Sequence, residues 1–107
     1  MAKRIRQAAP EVFLIVAPFP FEQFYPSNEA AISACRVPMD EGADAIYCGC
    51  HNMERVAAIA SCRIPVIGHI GFIPYMTNWI GGPRAIGKTA VEALQVYRHA
   101  KAYEAAG

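Results

Sequence analysis

Three short apolar runs, each followed by a stretch with helical spacing, constrain this chain more than any other feature. Val12-Phe13-Leu14-Ile15-Val16-Ala17 is continuous, rich in β-branched residues and stopped by Pro18 and Pro20, which marks it as a buried strand. Pro26, Ser27, Asn28 and Glu29 then supply a helix start, with Ser27 or Asn28 able to cap and an acid in the first turn. Ala30, Ala31, Ile32, Ala34 and Cys35 continue that helix until Pro38 and Gly42 close it. A second strand runs from Ala43 to Cys48 and ends at Gly49; a second helix spans Asn52 to Ser61 with Met53, Val56, Ala57 and Ile59/Ala60 as its apolar stripe. The third strand is Ile64 to Ile70, with Pro65 tolerated only at its beginning. After an irregular stretch from Gly71 to Gly87, Thr89 caps a last helix, Ala90 to Ala105, striped by Ala90, Ala93, Leu94, Tyr97 and Ala100.

Strand, helix, strand, helix, strand, loop, helix at this spacing gives the α/β class, with a parallel sheet and right-handed crossovers. Three strands that want cover on both faces leave two open edges. The chain is therefore a small flavodoxin-like piece or an arc of a larger barrel. It is expected to be incomplete as a fold, or to complete itself by pairing with another chain. At 107 residues it fits a single domain, and 54% hydrophobic against 18% charged residues is too apolar for disorder. Ten Lys plus Arg against nine Asp plus Glu leave +1, which argues against a nucleic-acid surface and against an acidic tail. The apolar stretch Val12 to Phe21 is broken by two prolines and falls short of the roughly 20 residues a membrane helix needs. Lys3, Arg4 and Arg6 imitate a secretion signal only faintly, since Pro10 and Glu11 interrupt it and no small-residue cleavage site follows. A cytoplasmic protein with free thiols is expected, with Cys35 and Cys62 acting as small hydrophobes.

Three motifs carry chemistry. Gly82-Pro83-Arg84-Ala85-Ile86-Gly87-Lys88-Thr89 fits the phosphate-cradling pattern G-x-x-x-x-G-K-[ST], yet no clean strand leads into it and no later strand could supply a metal-holding Asp. Cys48-Gly49-Cys50-His51 offers zinc-type ligands at a spacing zinc sites do not use, so a strand end of small residues is the better reading. Gly68-His69-Ile70-Gly71 sets a histidine at the carboxyl end of a strand between two glycines, where a ligand can approach closely and where α/β folds place their ligands. His69 is the strongest functional signal.

Gly68-His69-Ile70-Gly71-Phe72-Ile73-Pro74, then Gly81-Gly82 and Ile86-Gly87-Lys88-Thr89, then the helix ending Glu104-Ala105-Ala106-Gly107, resemble the ketopantoate hydroxymethyltransferase family. Pro20-Phe21 and Glu41-Gly42-Ala43-Asp44-Ala45 agree, so the resemblance covers nearly everything from Phe13 to Gly107 and explains the phosphate-loop pattern as a coincidence. It implies a TIM-type (β/α)8 barrel, of which residues 1–107 form a single partial domain, a three-strand arc from the barrel's centre. It also implies transfer of a one-carbon unit from 5,10-methylenetetrahydrofolate to 3-methyl-2-oxobutanoate in pantothenate synthesis. Mg2+ chelates the substrate's carboxylate and keto oxygen in that family, and a carboxylate base removes the C3 proton.

The resemblance places an acidic metal-site residue where this chain has Pro18, and Lys-x-Glu-Gly where it has Tyr47, Cys48, Gly49 and Cys50. Substrate binding by His69 is what carries over; no catalytic or metal-ligating residue does. The chain alone is expected not to catalyse the reaction. It is expected to bind a small 2-oxo acid and to assemble as a homo-oligomer or with another chain. The alternatives are a non-catalytic barrel fragment, a 2-oxo-acid-binding relative of the phosphoenolpyruvate/pyruvate barrel group, and a nucleotide binder using the Gly82–Thr89 loop.

Overall fold

The computed structural model describes residues 1–49 and 52–107. Its elements are α1 (Ala2–Ala8), β1 (Ile15–Val16), a 3₁₀ turn (Glu22–Phe24), α2 (Asn28–Asp40), β2 (Ala45–Cys48), α3 (Met53–Ser61), β3 (Val66–Gly68), 3₁₀ turns over Pro74–Trp79, and α4 (Ala90–Ala106). The strands form one parallel sheet in the order β1-β2-β3, so the α/β class and the parallel βα order are as the periodicity implies.

All three strands are shorter than their apolar runs, and prolines and side chains explain why. Leu14 donates its N–H to Asp44 Oδ2 at 2.7 Å rather than to a ladder partner, and Pro18 has no N–H to give. Pro65 likewise cannot donate, although its carbonyl accepts from Ile46 at 2.8 Å. Beyond β3 the His69 N–H still reaches the Cys48 carbonyl at 2.9 Å. The chain then leaves the sheet and turns at Gly71, whose φ of +77° suits glycine.

The second element departs from expectation at Pro38, which lies inside α2 instead of ending it. Ala31, Cys35 and Pro38 are the buried residues of this helix, spaced four and three apart. The proline ring therefore occupies the core-facing stripe within the last turn, where only one helix bond is forfeited. Closure falls to Gly42, at φ +101° just past the C-cap Glu41. The Ser27 side chain caps α2, that of Asn52 caps α3 and that of Thr89 caps α4, each accepting an N–H three residues on.

Helix α1 is too short to stand on its own in water. Tertiary bonds hold it: Arg6 donates to the carbonyls of Pro10, Val12 and Gly42 and pairs with Asp44, and the amino terminus pairs with Glu41. Helix α4 is rotated relative to its expected stripe. Of that stripe Ala90, Ala93, Leu94 and Tyr97 are exposed, Tyr97 by 61%, and only Ala100 is half-buried, together with Val96, His99, Tyr103 and Ala106. Alanines occur all round this helix, so spacing alone could not say which face packs.

Ala31 and Cys35 of α2, Ile46 and Cys48 of β2, Val56 and Ile59 of α3, and Ile64 form the core, with Tyr103 and Ala106 of α4 packed against it. Because side chains alternate along a strand, Ile46 and Cys48 face the helices and Tyr47 faces away. The register pairs Tyr47 with Ile67, and His69 lies two residues further along that same face. On this side Ile15 and Ile67 are exposed, and Tyr47 and His69 are half-exposed.

Candidate functional site

The carboxyl end of the sheet is where chemistry-bearing side chains collect. Glu22 is 0% exposed, in the turn after β1, and its Oε1 accepts the Gly49 N–H at 3.0 Å. Arg55, itself nearly buried, pins that turn: its Nη1 donates to the carbonyls of Glu22 at 2.9 Å and Tyr25 at 3.0 Å, and its Nε to Asn28 Oδ1 at 2.6 Å. One guanidinium on α3 thus fixes both the carboxylate segment and the start of α2, a task for a planar multi-donor group.

Tyr47 and His69 meet at the mouth of the open face. The Tyr47 hydroxyl is hydrogen-bonded to His69 Nδ1, and the rings are tilted with centroids 5.5 Å apart. Burial raises the Tyr47 phenol above its ordinary value of 10.0, and the nearby Glu22 charge adds to this, so the hydroxyl keeps its proton at neutral pH. Burial also pushes the Cys35 thiol up to about 11, with the Glu22 charge the second cause. Tyr75 stacks on Phe21 with centroids 4.4 Å apart. A Cβ at Gly49 would lie 2.0 Å from the Tyr75 hydroxyl oxygen and 3.2 Å from the Tyr47 ring, so that glycine gives both tyrosines their place.

The glycines beside His69 serve different purposes from one another. A Cβ at Gly68 would meet the Tyr103 ring at 2.5 Å, so the space Gly68 leaves is filled by α4 and not offered to a ligand. Gly71 has nothing within 4 Å of its Cβ position and serves the turn.

The Gly82–Thr89 loop is built as a helix cap. Glu92 Oε2 accepts the Gly87 and Lys88 N–H groups at 3.1 and 3.2 Å, and Oε1 pairs with Arg84 at 2.6 Å. Thr89 Oγ1 accepts the Glu92 N–H in return, a variant of the capping box. A carboxylate of the chain thus takes backbone donors that a phosphate would need, and the preceding segment is 3₁₀ rather than strand. Between this loop and α4 lies a cavity of about 220 Å³, walled by Ile73, Met76, Ile86 and Val96.

Of the Cys48-Gly49-Cys50-His51 motif, Cys48 is a buried core residue, as Cys35 is; Cys50 and His51 lie outside the described residues. The magnesium implied by the resemblance does not fit the residues present. The acidic positions that the resemblance implies for it are occupied by Pro18 and Gly49, and among the described residues no three His, Cys, Asp or Glu side chains are grouped to hold a metal ion. Sequence reasoning missed Glu22, Arg55, Tyr75 and Tyr103. A signal for the first pair was present: a carboxylate set among Phe21, Phe24 and Tyr25, and an arginine beside the apolar positions of the second helix.

Comparison with known proteins gives a consistent result. The family model described as ketopantoate hydroxymethyltransferase matches residues 1–107. A Dehalococcoides mccartyi protein named 3-methyl-2-oxobutanoate hydroxymethyltransferase is 39% identical over 97 residues, covering 88% of this chain and 35% of the relative. Proteins of the same name from Thiobacillus denitrificans, 39% identical over 95 residues, and Geobacillus thermodenitrificans, 34% identical over 108, are covered to 36% and 38% of their lengths. The chain thus spans little more than a third of the curated relatives it matches.

Proposed function

Because this chain belongs to the ketopantoate hydroxymethyltransferase family, we propose that it is an arc of that family's (β/α)8 barrel whose open face holds a small 2-oxo acid at His69 without itself transferring the one-carbon unit. The observation that carries this reading is the one-sided cover of the sheet. The helical core lies on the Ile46 and Cys48 side, while Tyr47, Ile67 and His69 share the other. Doubly wound sheets carry helices on both faces; barrels carry them outside only and place ligands at the carboxyl ends of their strands.

Residues 1–107 are in this reading a single partial barrel domain. The sheet edges would be covered by a second copy or by another chain. Exposed Phe13, Ile15 and Phe19 beside β1, and Val91, Leu94 and Tyr97 on α4, support such assembly. Among the described residues no helix is long and apolar enough to cross a membrane. A cytoplasmic location is proposed, a compartment that keeps thiols such as Cys35, Cys48 and Cys62 reduced.

Titration of 3-methyl-2-oxobutanoate into the purified chain tests the pocket. Saturable binding that weakens at least tenfold in His69→Ala, with an unchanged circular dichroism spectrum, is the expected result. Equal binding by the two proteins would make His69 a mere wall of the sheet and sink the reading.

A further inference from the structure

The contact between Tyr47 and His69 has a chemical consequence for the bound ligand. Parallel register puts the two side chains on one face, Tyr47 opposite Ile67 and His69 two residues beyond it. The backbone holds the histidine there, since its N–H bonds the Cys48 carbonyl at 2.9 Å. Gly49 leaves room for the Tyr47 ring, because any Cβ at that position would press on it and on Tyr75. The tyrosine hydroxyl then meets Nδ1 of the imidazole.

A neutral imidazole has one donor nitrogen and one acceptor nitrogen. A phenol that retains its proton has a hydrogen to donate, and where it donates, Nδ1 is the acceptor and Nε2 carries the hydrogen. We propose that Tyr47 is a positioning residue that fixes His69 in the Nε2–H tautomer, giving the open face one aimed N–H donor for a carboxylate or keto oxygen of a 2-oxo acid. The ligand part of this proposal rests on the pocket reading above; the tautomer part rests only on the Tyr47–His69 geometry. Burial and the Glu22 charge both hold the phenol protonated, so the hydroxyl has the hydrogen this direction of donation needs. A neutral side chain thereby stands at the position where the family resemblance places a lysine, and the N–H donor is carried by His69, just past β3.

The test is long-range ¹H–¹⁵N correlation spectroscopy of the whole chain labelled at histidine, at neutral pH, with the His69 signals identified by their loss in His69→Gln. The expected result is a ring locked as the Nε2–H tautomer in the wild type and averaged between tautomers in Tyr47→Phe, which removes only the hydroxyl. Binding of 3-methyl-2-oxobutanoate should weaken roughly threefold to tenfold in the same variant, the factor that one modest hydrogen bond's worth of orientation gives. A wild-type ring protonated at Nδ1 or at both nitrogens overturns the proposal, and so does a tautomer unmoved by Tyr47→Phe. No binding by the wild type overturns the pocket reading and the ligand part, while the spectra still decide whether Tyr47 positions the ring.

Discussion

Replacing Gly68 by alanine is expected to destabilise the chain, although alanine ordinarily suits a strand better than glycine. Gly68 has no left-handed φ, so its backbone accepts a side chain without strain. In open space such a change gains about 0.4–1 kcal/mol by restricting the unfolded chain. Here the new Cβ would lie 2.5 to 2.7 Å from three atoms of the Tyr103 ring, inside ordinary contact distance. Forcing a methyl group into such a space costs about 1–3 kcal/mol. Tyr103 cannot simply yield, because its ring packs against the core and its hydroxyl lies 3.4 Å from the Cys48 carbonyl. The sign of the effect therefore depends on α4. Urea unfolding followed by far-ultraviolet circular dichroism at one fixed protein concentration, for Gly68→Ala, Tyr103→Ala and the double variant, separates the pair energy from the cost of losing the ring. The alanine should cost about 1–3 kcal/mol alone and about zero, or a small gain, once Tyr103 is truncated. Changes that add to within about 0.5 kcal/mol would refute the packing of α4 across β3.

Arg55→Ala should lower stability by about 3 kcal/mol, because charged hydrogen bonds to two backbone carbonyls and Asn28 are lost together; Arg55→Lys should restore less than half, a point charge being unable to span all three. The Cys35 thiol ionises near 9.0 when unfolded and near 11 when folded, so stability should hold below pH 9 and fall as pH rises toward 11, and Cys35→Ala should reduce that alkaline slope in urea midpoints. The Leu14 N–H, then Arg6, hold the Asp44 carboxyl below its ordinary value of 3.8; its contribution is present above that value and is lost on acidification, so Asp44→Asn should flatten the acid limb of the melting-temperature profile.

What the sequence disclosed and what it hid follow from the range of the interactions involved. Strand and helix order, the Ser27 and Thr89 caps and the Gly42 stop depend on neighbours within a few residues, so periodicity and capping rules suffice for them. Helix α1 depends on Arg6 reaching residues some forty positions away, and nothing local in Ala2–Ala8 announces it. The orientation of α4 is set by Tyr103 finding the gap at Gly68, a match between two elements with no trace in either alone. The place of His69 at the carboxyl end of the third strand was legible because the apolar run before it is a local signal. Its partner Tyr47 was not, since adjacency across β2 and β3 exists only once the register is set. Glu22 is a charge inside an aromatic segment, and its burial makes sense only beside the Gly49 N–H and the Arg55 staple.

The proposed 2-oxo-acid site at His69 stands in a chain whose described residues group no three His, Cys, Asp or Glu side chains to anchor a hard cation. Calorimetric titration of 3-methyl-2-oxobutanoate into the chain, with millimolar magnesium and again with a chelator, tests this most directly. The account predicts one affinity under both conditions. Binding that tightens tenfold or more with magnesium, or appears only in its presence, would contradict it.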